Sequence, residues 1–439
     1  MLNADELVPT RLSRRVAPLP AVLAENGPVF DDRPNVLADA SVEAARTPIE
    51  AGELPPAFVR AGPRAELAFD PADVRAGLVT CGGLCPGLND VIRSITFSLL
   101  YLYGVDQIDG FRYGYAGVAG EDPPPLALNH DVVDSIHREG GTLLGSSRGP
   151  QDVDRMVDNL VQRKISILFC IGGDGTLRGA SAISAAAARR GIDLAVVGVP
   201  KTIDNDLLWV DRSFGFPTAV EMATEAISVA HNEARGAFNG VSIVKLMGRH
   251  SGFIAAHATL ANPDCNVCLV PEVPFELDGP SGLLAFLDRR LARSRHCVIA
   301  IAEGAGQGFV AADGFDESGN KRLGDVGTFL RDRITEHFHT TGLPGTVRYI
   351  DPSYLVRGGP ANAVDAEFCV SLGQHAVHAG MAGFTDVMVG HWNQRFTIVP
   401  LQAATQRRRQ LEPEGPIWQR VVQTTRQPVF TNGPPTDRT

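Results

Sequence analysis

From Val74 onward the chain alternates short, nearly continuous apolar runs with amphipathic stretches of helical period. AGLVT (76–80), ISILFCIGG (165–173) and LAVVGVP (194–200) are too unbroken for strands with one wet face, and they read as strands covered on both sides. Each ends in a turn-forming loop: CGGLCPG, DGT and KTIDND. A helical pattern follows each loop. The texture repeats more loosely in VSIVKLMG (241–248), NVCLVPEV (266–273) and CVIAIAEG (297–304). Strand and helix alternating in this way predict an α/β fold of two Rossmann-like lobes with mainly parallel sheets, the ligand site lying in the cleft between them.

Residues 1–72 are rich in Pro, Ala and charge and show no sustained period, so they read as an N-terminal extension of arms and short helices. The first lobe is expected over 73–216, completed by about 360–400, and the second over 217–359. Residues 401–439, ending PVFTNGPPTDRT, read as a polar tail. No solenoid period or heptad run is present.

Composition narrows the classes. The 439 residues are 44% hydrophobic and 21% charged, ordinary globular usage. No apolar stretch approaches the roughly 20 residues needed to span a bilayer, and MLNADELVPTRLSRRV has no apolar core of a secretory signal. A cytosolic location is the default expectation. The seven cysteines are an odd number, mostly in apolar runs, and they read as small hydrophobes. Cys265-x-x-Cys268 has no second pair at zinc-finger spacing and reads as core thiols rather than a metal site. A net charge of −10 argues against a nucleic-acid footprint. Phosphate ligands would therefore need locally placed cations.

Three strand-end loops carry the chemistry. Gly82-Gly83-Leu84-Cys85-Pro86-Gly87 opens a helix near Leu88, where glycines admit backbone N–H groups to a phosphate and the helix terminus favours an anion. It lacks the Walker A Gly-Lys-Ser/Thr, so a plain strand-to-helix turn remains the other reading. Gly172-Gly173-Asp174-Gly175-Thr176 adds a carboxylate suited to Mg²⁺ held against a polyphosphate. Pro200-Lys201-Thr202-Ile203-Asp204-Asn205-Asp206 places two carboxylates at i and i+2, facing the same way if the segment is extended. Singly, each Asp also suits a helix cap or turn.

From Thr80 to Gly359 the segments TCGGLCPGLNDVIR, LGSSRG, GGDGT, PKTIDND, MGRHSGF, PEVPF, AEG and a late Arg-Gly-Gly resemble, in order and spacing, the phosphofructokinase family. The resemblance implies transfer of the ATP γ-phosphoryl group to the 1-hydroxyl of fructose 6-phosphate with Mg²⁺, by a homo-oligomer, tetramer or dimer. By it the first lobe binds the donor and the second the sugar phosphate. Asp204 is implied as general base, Asp174 and Asp206 as Mg²⁺ holders, and Gly83, Arg148 and Arg249 as stabilisers of the transferring phosphoryl group. Thr202 is implied to position substrate. Gly173, Gly175, Thr176 and Tyr115 are implied at the nucleotide, and Met247, Gly248, Arg249, Glu303, Arg348, Tyr354 and Arg357 at the sugar phosphate. Guanidinium forks suit phosphate oxygens.

Departures fall at Tyr354, where many bacterial members carry His, and at Gly240, where an Arg from a neighbouring subunit is usual. Arg93 matches one effector-site arginine of the family, while a usual second appears as Phe97. The donor turns on two positions. Gly175 goes with ATP, because a carboxylate there would crowd and repel a nucleotide, whereas Lys201 is typical of pyrophosphate enzymes. Together with YIDPSYLVRGGPANAVD, the pair resembles the long-form ATP-dependent enzymes of plants and kinetoplastids. A pyrophosphate-dependent enzyme is the alternative, and a non-catalytic sugar-phosphate-binding homologue is disfavoured by the intact Asp174, Asp204 and Asp206. The Gly-rich turns lack the GxGxxG of a dinucleotide-binding dehydrogenase. His250, His257 and His391 have no metal-ligand spacing and read as buried or surface imidazoles.

Overall fold

The computed structural model describes residues 4–310, 314–315, 321–431 and 433. The chain divides into two compact units: Met1–Ile203, Leu207–Gly215 and Arg357–Arg408 make the first, and Asp204–Asp206, Phe216–Val356 and Arg409–Thr439 the second. In chain order the strands are β1 (Ala17–Pro18), β2 (Pro34–Leu37), β3 (Ala57–Arg60), β4 (Glu66–Leu67), β5 (Arg75–Thr80), β6 (Gln107–Phe111), β7 (Leu126–Ala127), β8 (Ile167–Gly172) and β9 (Ala195–Pro200). The second unit carries β10 (Gly240–Leu246), β11 (Val267–Leu269), β12 (His296–Ala302) and β13 (Thr346–Ile350), before β14 (Val387–Trp392) and β15 (Arg395–Pro400) return to the first.

The first unit is built on a nine-stranded sheet of order β2-β3-β15-β14-β9-β8-β5-β6-β7. Its central strands β14, β9, β8, β5 and β6 are parallel to one another, and the flanking pairings are antiparallel. Every residue of β8 and of β9 is buried, as their unbroken apolar runs require. From β5 the chain moves outward to β6, then returns to β8 on the other side of β5. That reversal places the loops after β5 and β8 at a switch point, where open α/β sheets bind ligands.

Residues 1–72 depart from the expectation of arms and short helices. They do hold helices Ala21–Asn26 and Val42–Glu50, but β2 and β3 extend the sheet through β15, and Leu7 and Phe58 are fully buried in its core. Segments of four residues such as PNVL and AFVR are too short to display a period, which is why they read as irregular.

The second unit holds a four-stranded parallel sheet of order β11-β12-β10-β13. Leu287, Leu291, Leu330 and Ile334 from its helices pack on Val241, Ile243 and Ile299 of the strands. The expected polar tail is corrected here. Helix Pro416–Thr425 buries Trp418 and Val421, and Phe430 enters the second unit's core. Gln427 continues the attachment by pairing with the backbone of Cys268 in β11, accepting from its N–H at 2.7 Å and donating to its carbonyl at 3.0 Å. Polar residues between the anchors hid this role. Positions 432 and 434–439 of that segment lie outside the described residues. Among the described residues no helix is long and apolar enough to cross a membrane, and all seven cysteines are buried free thiols.

Candidate active site

In the first unit the three loops after β5, β8 and β9 meet around Lys201. Its Nζ donates to the Gly83 carbonyl at 2.9 Å, while its backbone N–H donates to the Gly172 carbonyl at 3.0 Å. Burial pushes the Lys201 ammonium down from its usual value, and the positive charges of Arg357 and Arg148 push the same way. A lysine sealed in this manner braces the loops rather than reaching outward.

The loop after β5 turns through Gly82 at φ 85° and Gly87 at φ 100°, left-handed conformations that favour glycine. At Gly87 a Cβ would also meet Cys369 Sγ at 2.7 Å. The Gly82 N–H donates to the Ser147 carbonyl at 3.1 Å, which ties this loop to the segment carrying Arg148. A Cβ at Gly83 would lie 3.2 Å from Arg148 Nη2, which places the guanidinium against the loop.

After β8, Gly173 caps helix Asp174–Arg189, whose first residue is the Asp174 carboxylate. Asp174 Oδ2 lies 3.1 Å from Arg178, one turn on, and 3.9 Å from Arg408. A Cβ placed on Gly175 meets nothing within 4 Å. Thr176 is buried, and its carbonyl accepts the Tyr115 hydroxyl at 2.6 Å. Tyr115, expected at the nucleotide, is enclosed beneath this helix, and burial pushes its phenol well up. Gly179 makes room for its ring, since a Cβ there would lie 2.5 Å from it. The nearby exposed aromatic is Tyr113, with φ 56°, against Gly145. Nothing in the sequence distinguished the two tyrosines.

After β9, Thr202 is buried and its carbonyl accepts the Ser213 hydroxyl. The condition on which Asp204 and Asp206 would face the same way, an extended segment, is not met at Asn205. Asn205 stands at φ 56°, a left-handed conformation that asparagine tolerates better than most residues, so Asp204 and Asp206 flank a left-handed residue.

Asp204–Asp206 belong to the second unit. There the Asp204 carbonyl accepts the Ser251 hydroxyl at 3.2 Å, and the Asp206 carbonyl accepts the Arg409 N–H at 2.8 Å. The loop after β10 carries Met247, Gly248 and Arg249. It lies against the loop after β12, with Glu303 N–H on the Leu246 carbonyl at 2.9 Å and Gly304 N–H on the Gly248 carbonyl at 3.1 Å. Gly248 at φ 127° and Gly304, where a Cβ would sit 2.0 Å from the Arg249 carbonyl, make this approach possible. Met247 is buried, and the Arg249 guanidinium donates to the Lys321 carbonyl.

Arg348 and Tyr354 belong to the same unit, on and just after strand β13, which pairs with β10. Arg348 lies within edge strand β13, half exposed, 3.7 Å from Glu233, and Tyr354 is 85% exposed. Arg357 belongs to the first unit and adds its charge near Lys201. Gly240 has a steric cause: a Cβ there would lie 2.2 Å from the Ala234 carbonyl. Arg93 stacks over the Phe97 ring at 4.3 Å, and Phe97 stacks in turn on His130. His257 packs edge-on against Phe216 and His391 against Phe368, and burial pushes both imidazoles down.

Sequence reading missed Lys201 as the brace of three loops, and it missed both arginines beside Asp174. The i, i+4 spacing of Arg178 was a usable signal. For Arg408, more than two hundred residues away, none existed.

Comparison with known proteins agrees with this arrangement. The phosphofructokinase family model matches residues 75–380. The chain is 48% identical to an ATP-dependent 6-phosphofructokinase of Amycolatopsis methanolica over 419 residues, covering 93% of this chain and 90% of that one. It is 47% identical to an ATP-dependent 6-phosphofructokinase of Trypanosoma brucei brucei over 370 residues, covering 83% and 75%. Among solved structures, a pyrophosphate-dependent phosphofructokinase from Marinobacter aquaeolei superposes with a TM-score of 0.67, covering 83% of this chain and 94% of that one, at 23% identity, a likeness of fold. With loops, strands and relatives in agreement, this chain belongs to the phosphofructokinase family.

Proposed function

We propose that the protein is an ATP-dependent 6-phosphofructokinase, transferring the γ-phosphoryl group of ATP to the 1-hydroxyl of fructose 6-phosphate to give fructose 1,6-bisphosphate and ADP. The observation that carries the donor assignment is the open space at Gly175, beside Asp174 at the start of its helix. The side chain that would crowd and repel a nucleotide at this position is missing. Lys201, the feature that favours pyrophosphate, is engaged with the Gly83 carbonyl and buried, which supports giving Gly175 the greater weight.

In this reading the first unit binds the donor and the second the sugar phosphate. Gly83 N–H, Arg148 and the start of helix Asp174–Arg189 hold the phosphates, with Gly173 and Thr176 shaping that turn and Tyr115 supporting it from beneath. Asp204 takes the proton of the 1-hydroxyl as its oxygen bonds to the γ-phosphorus and the bond to the β,γ-bridging oxygen breaks, releasing ADP. Thr202 orients the reacting groups, and Arg249 and Arg148 offset the charge on the transferring group. Met247, Gly248 and Glu303 contact the sugar, while Arg348, Tyr354 and Arg357 serve the 6-phosphate end.

By the family resemblance, Asp174 of the first unit and Asp206 of the second are the carboxylates that would serve Mg²⁺. Hard carboxylates suit that ion, and no group of three or more His, Cys, Asp or Glu side chains among the described residues forms an all-protein cage. When bound, Mg²⁺ neutralises charge on the β- and γ-phosphates. The family resemblance further supports a homo-oligomer, tetramer or dimer, working in the cytoplasm. A coupled assay with fructose 6-phosphate and each donor tests the reading. Product is expected with ATP, and turnover with pyrophosphate alone would overturn the donor assignment.

A further inference from the structure

Three consecutive residues after Arg408 each grip a different part of the second unit. The Arg409 N–H donates to the Asp206 carbonyl at 2.8 Å, and its guanidinium lies 4.9 Å from the Phe253 ring centre. Gln410 Nε2 donates to the His250 carbonyl at 3.2 Å. The Leu411 N–H donates to Glu272 Oε1 at 2.8 Å. That same oxygen accepts the N–H of Gly252 at 2.9 Å, with Oε2 at 3.1 Å.

Glu272 is therefore a bridge. Gly252 ends the loop that begins at Met247 and opens helix Phe253–Ala261, and Ser251 beside it reaches the Asp204 carbonyl. Segments 247–252 and 409–411 meet at this half-buried carboxylate, and 204–206 joins them through Ser251 and Arg409. Burial pushes the Glu272 carboxyl up, and the two backbone donors pull against that shift. Asp206 is held by a backbone donor, and Asn205 beside it turns left-handed, so the strap supplies a restraint from outside the turn itself.

We propose that Arg409–Leu411 is a strap, anchored by Glu272, that positions Asp204, Asp206 and the Met247–Gly252 loop for phosphoryl transfer, which makes Glu272 a positioning residue. Its catalytic half rests on the function proposed above, whereas its structural half does not. Because the Leu411 bond and the shorter of the two Gly252 bonds end on Oε1, an amide oxygen in the same place would preserve the bridge and a hydrocarbon would not.

The test compares Glu272→Gln and Glu272→Leu by steady-state kinetics with ATP and fructose 6-phosphate, alongside amide hydrogen exchange over 204–206, 250–253 and 409–411. In Glu272→Leu, kcat should fall between about ten- and a hundredfold with both KM values nearly unchanged, the scale of a small misplacement of reacting groups. Exchange should rise at those three segments alone. Glu272→Gln should stay close to wild type in both measurements. Unchanged kcat or unchanged exchange in Glu272→Leu would overturn the proposal, as would equal damage in Glu272→Gln. A rise in exchange across the whole second unit would reduce the bridge to general stability and overturn it too. If the wild-type protein does not phosphorylate fructose 6-phosphate, the functional reading fails, and the exchange pattern still decides whether the strap exists.

Discussion

Asp204 is the group whose loss should separate chemistry from binding. A base that acts on the hydroxyl proton contributes to the transition state, so Asp204→Ser is expected to lower kcat by about 10²- to 10⁴-fold while leaving both KM values close to wild type. Initial-rate kinetics over both substrates check this, and unchanged turnover would remove Asp204 from its role. Gly175 offers the opposite experiment, in which a group is added. A Cβ there has free space and a carboxylate in the first turn of a helix suits its dipole, so Gly175→Asp should fold with an undiminished melting temperature. Its KM for ATP should nevertheless rise by about tenfold or more, equivalent to about 1.4 kcal/mol of repulsion between like charges. An ATP titration that matches wild type would show that donor choice does not reside at this position.

Among the elements, β3 argues most plainly that the N-terminal region is part of the fold. Phe58 is fully buried and lies 5.0 Å, centre to centre, from the Trp209 ring. Phe58→Ala should cost about 3–5 kcal/mol through lost burial and a residual cavity. Thermal melting would register this as a drop of several degrees, and a change near zero would mean that the region does not support the core. The central strands and their loops were legible in the sequence because the change from apolar run to Gly-rich turn to helical period is local. Thus GGDGT and PKTIDND were located from neighbouring residues alone. What escaped is non-local or backbone-borne. β2 and β3 are four-residue pieces, and β15, through which β3 joins the sheet, lies more than three hundred residues away. The Arg409 N–H on the Asp206 carbonyl has no side-chain signature at all. The left-handed conformation at Asn205 is a backbone property that the residue type permits but does not announce.

At the scale of the whole molecule, buried imidazoles make the first unit sensitive to acid. His378, whose Nδ1 lies 2.7 Å from the Tyr103 hydroxyl, is pushed down to about 3 by burial, against an ordinary value near 6.5. Below about pH 6.5 the unfolded chain therefore takes up a proton that the native protein refuses. Stability should fall with decreasing pH from there towards 3, by about 1.4 kcal/mol per unit from this residue, and should be insensitive to it above 6.5. Asp90 and Asp386, whose carboxyls burial pushes up, contribute with the opposite sign. A differential measurement isolates the histidine: the fall in melting temperature between pH 7.5 and 5.5 should be smaller in His378→Gln than in wild type, and equal falls would contradict the assignment. The order of strands in the large sheet bears on the birth of the protein as well as on its rest state. β2 and β3 join β9 only through β15 and β14, and these are made at residues 387–400. A chain still emerging from the ribosome holds its first hairpin and its central strands with the pieces between them not yet synthesised. The sheet is closed by one of the last segments to be made, so at synthesis rates of about 5–20 residues per second the nascent polypeptide spends many seconds with two unfinished edges, a period in which chaperone binding is expected to matter most.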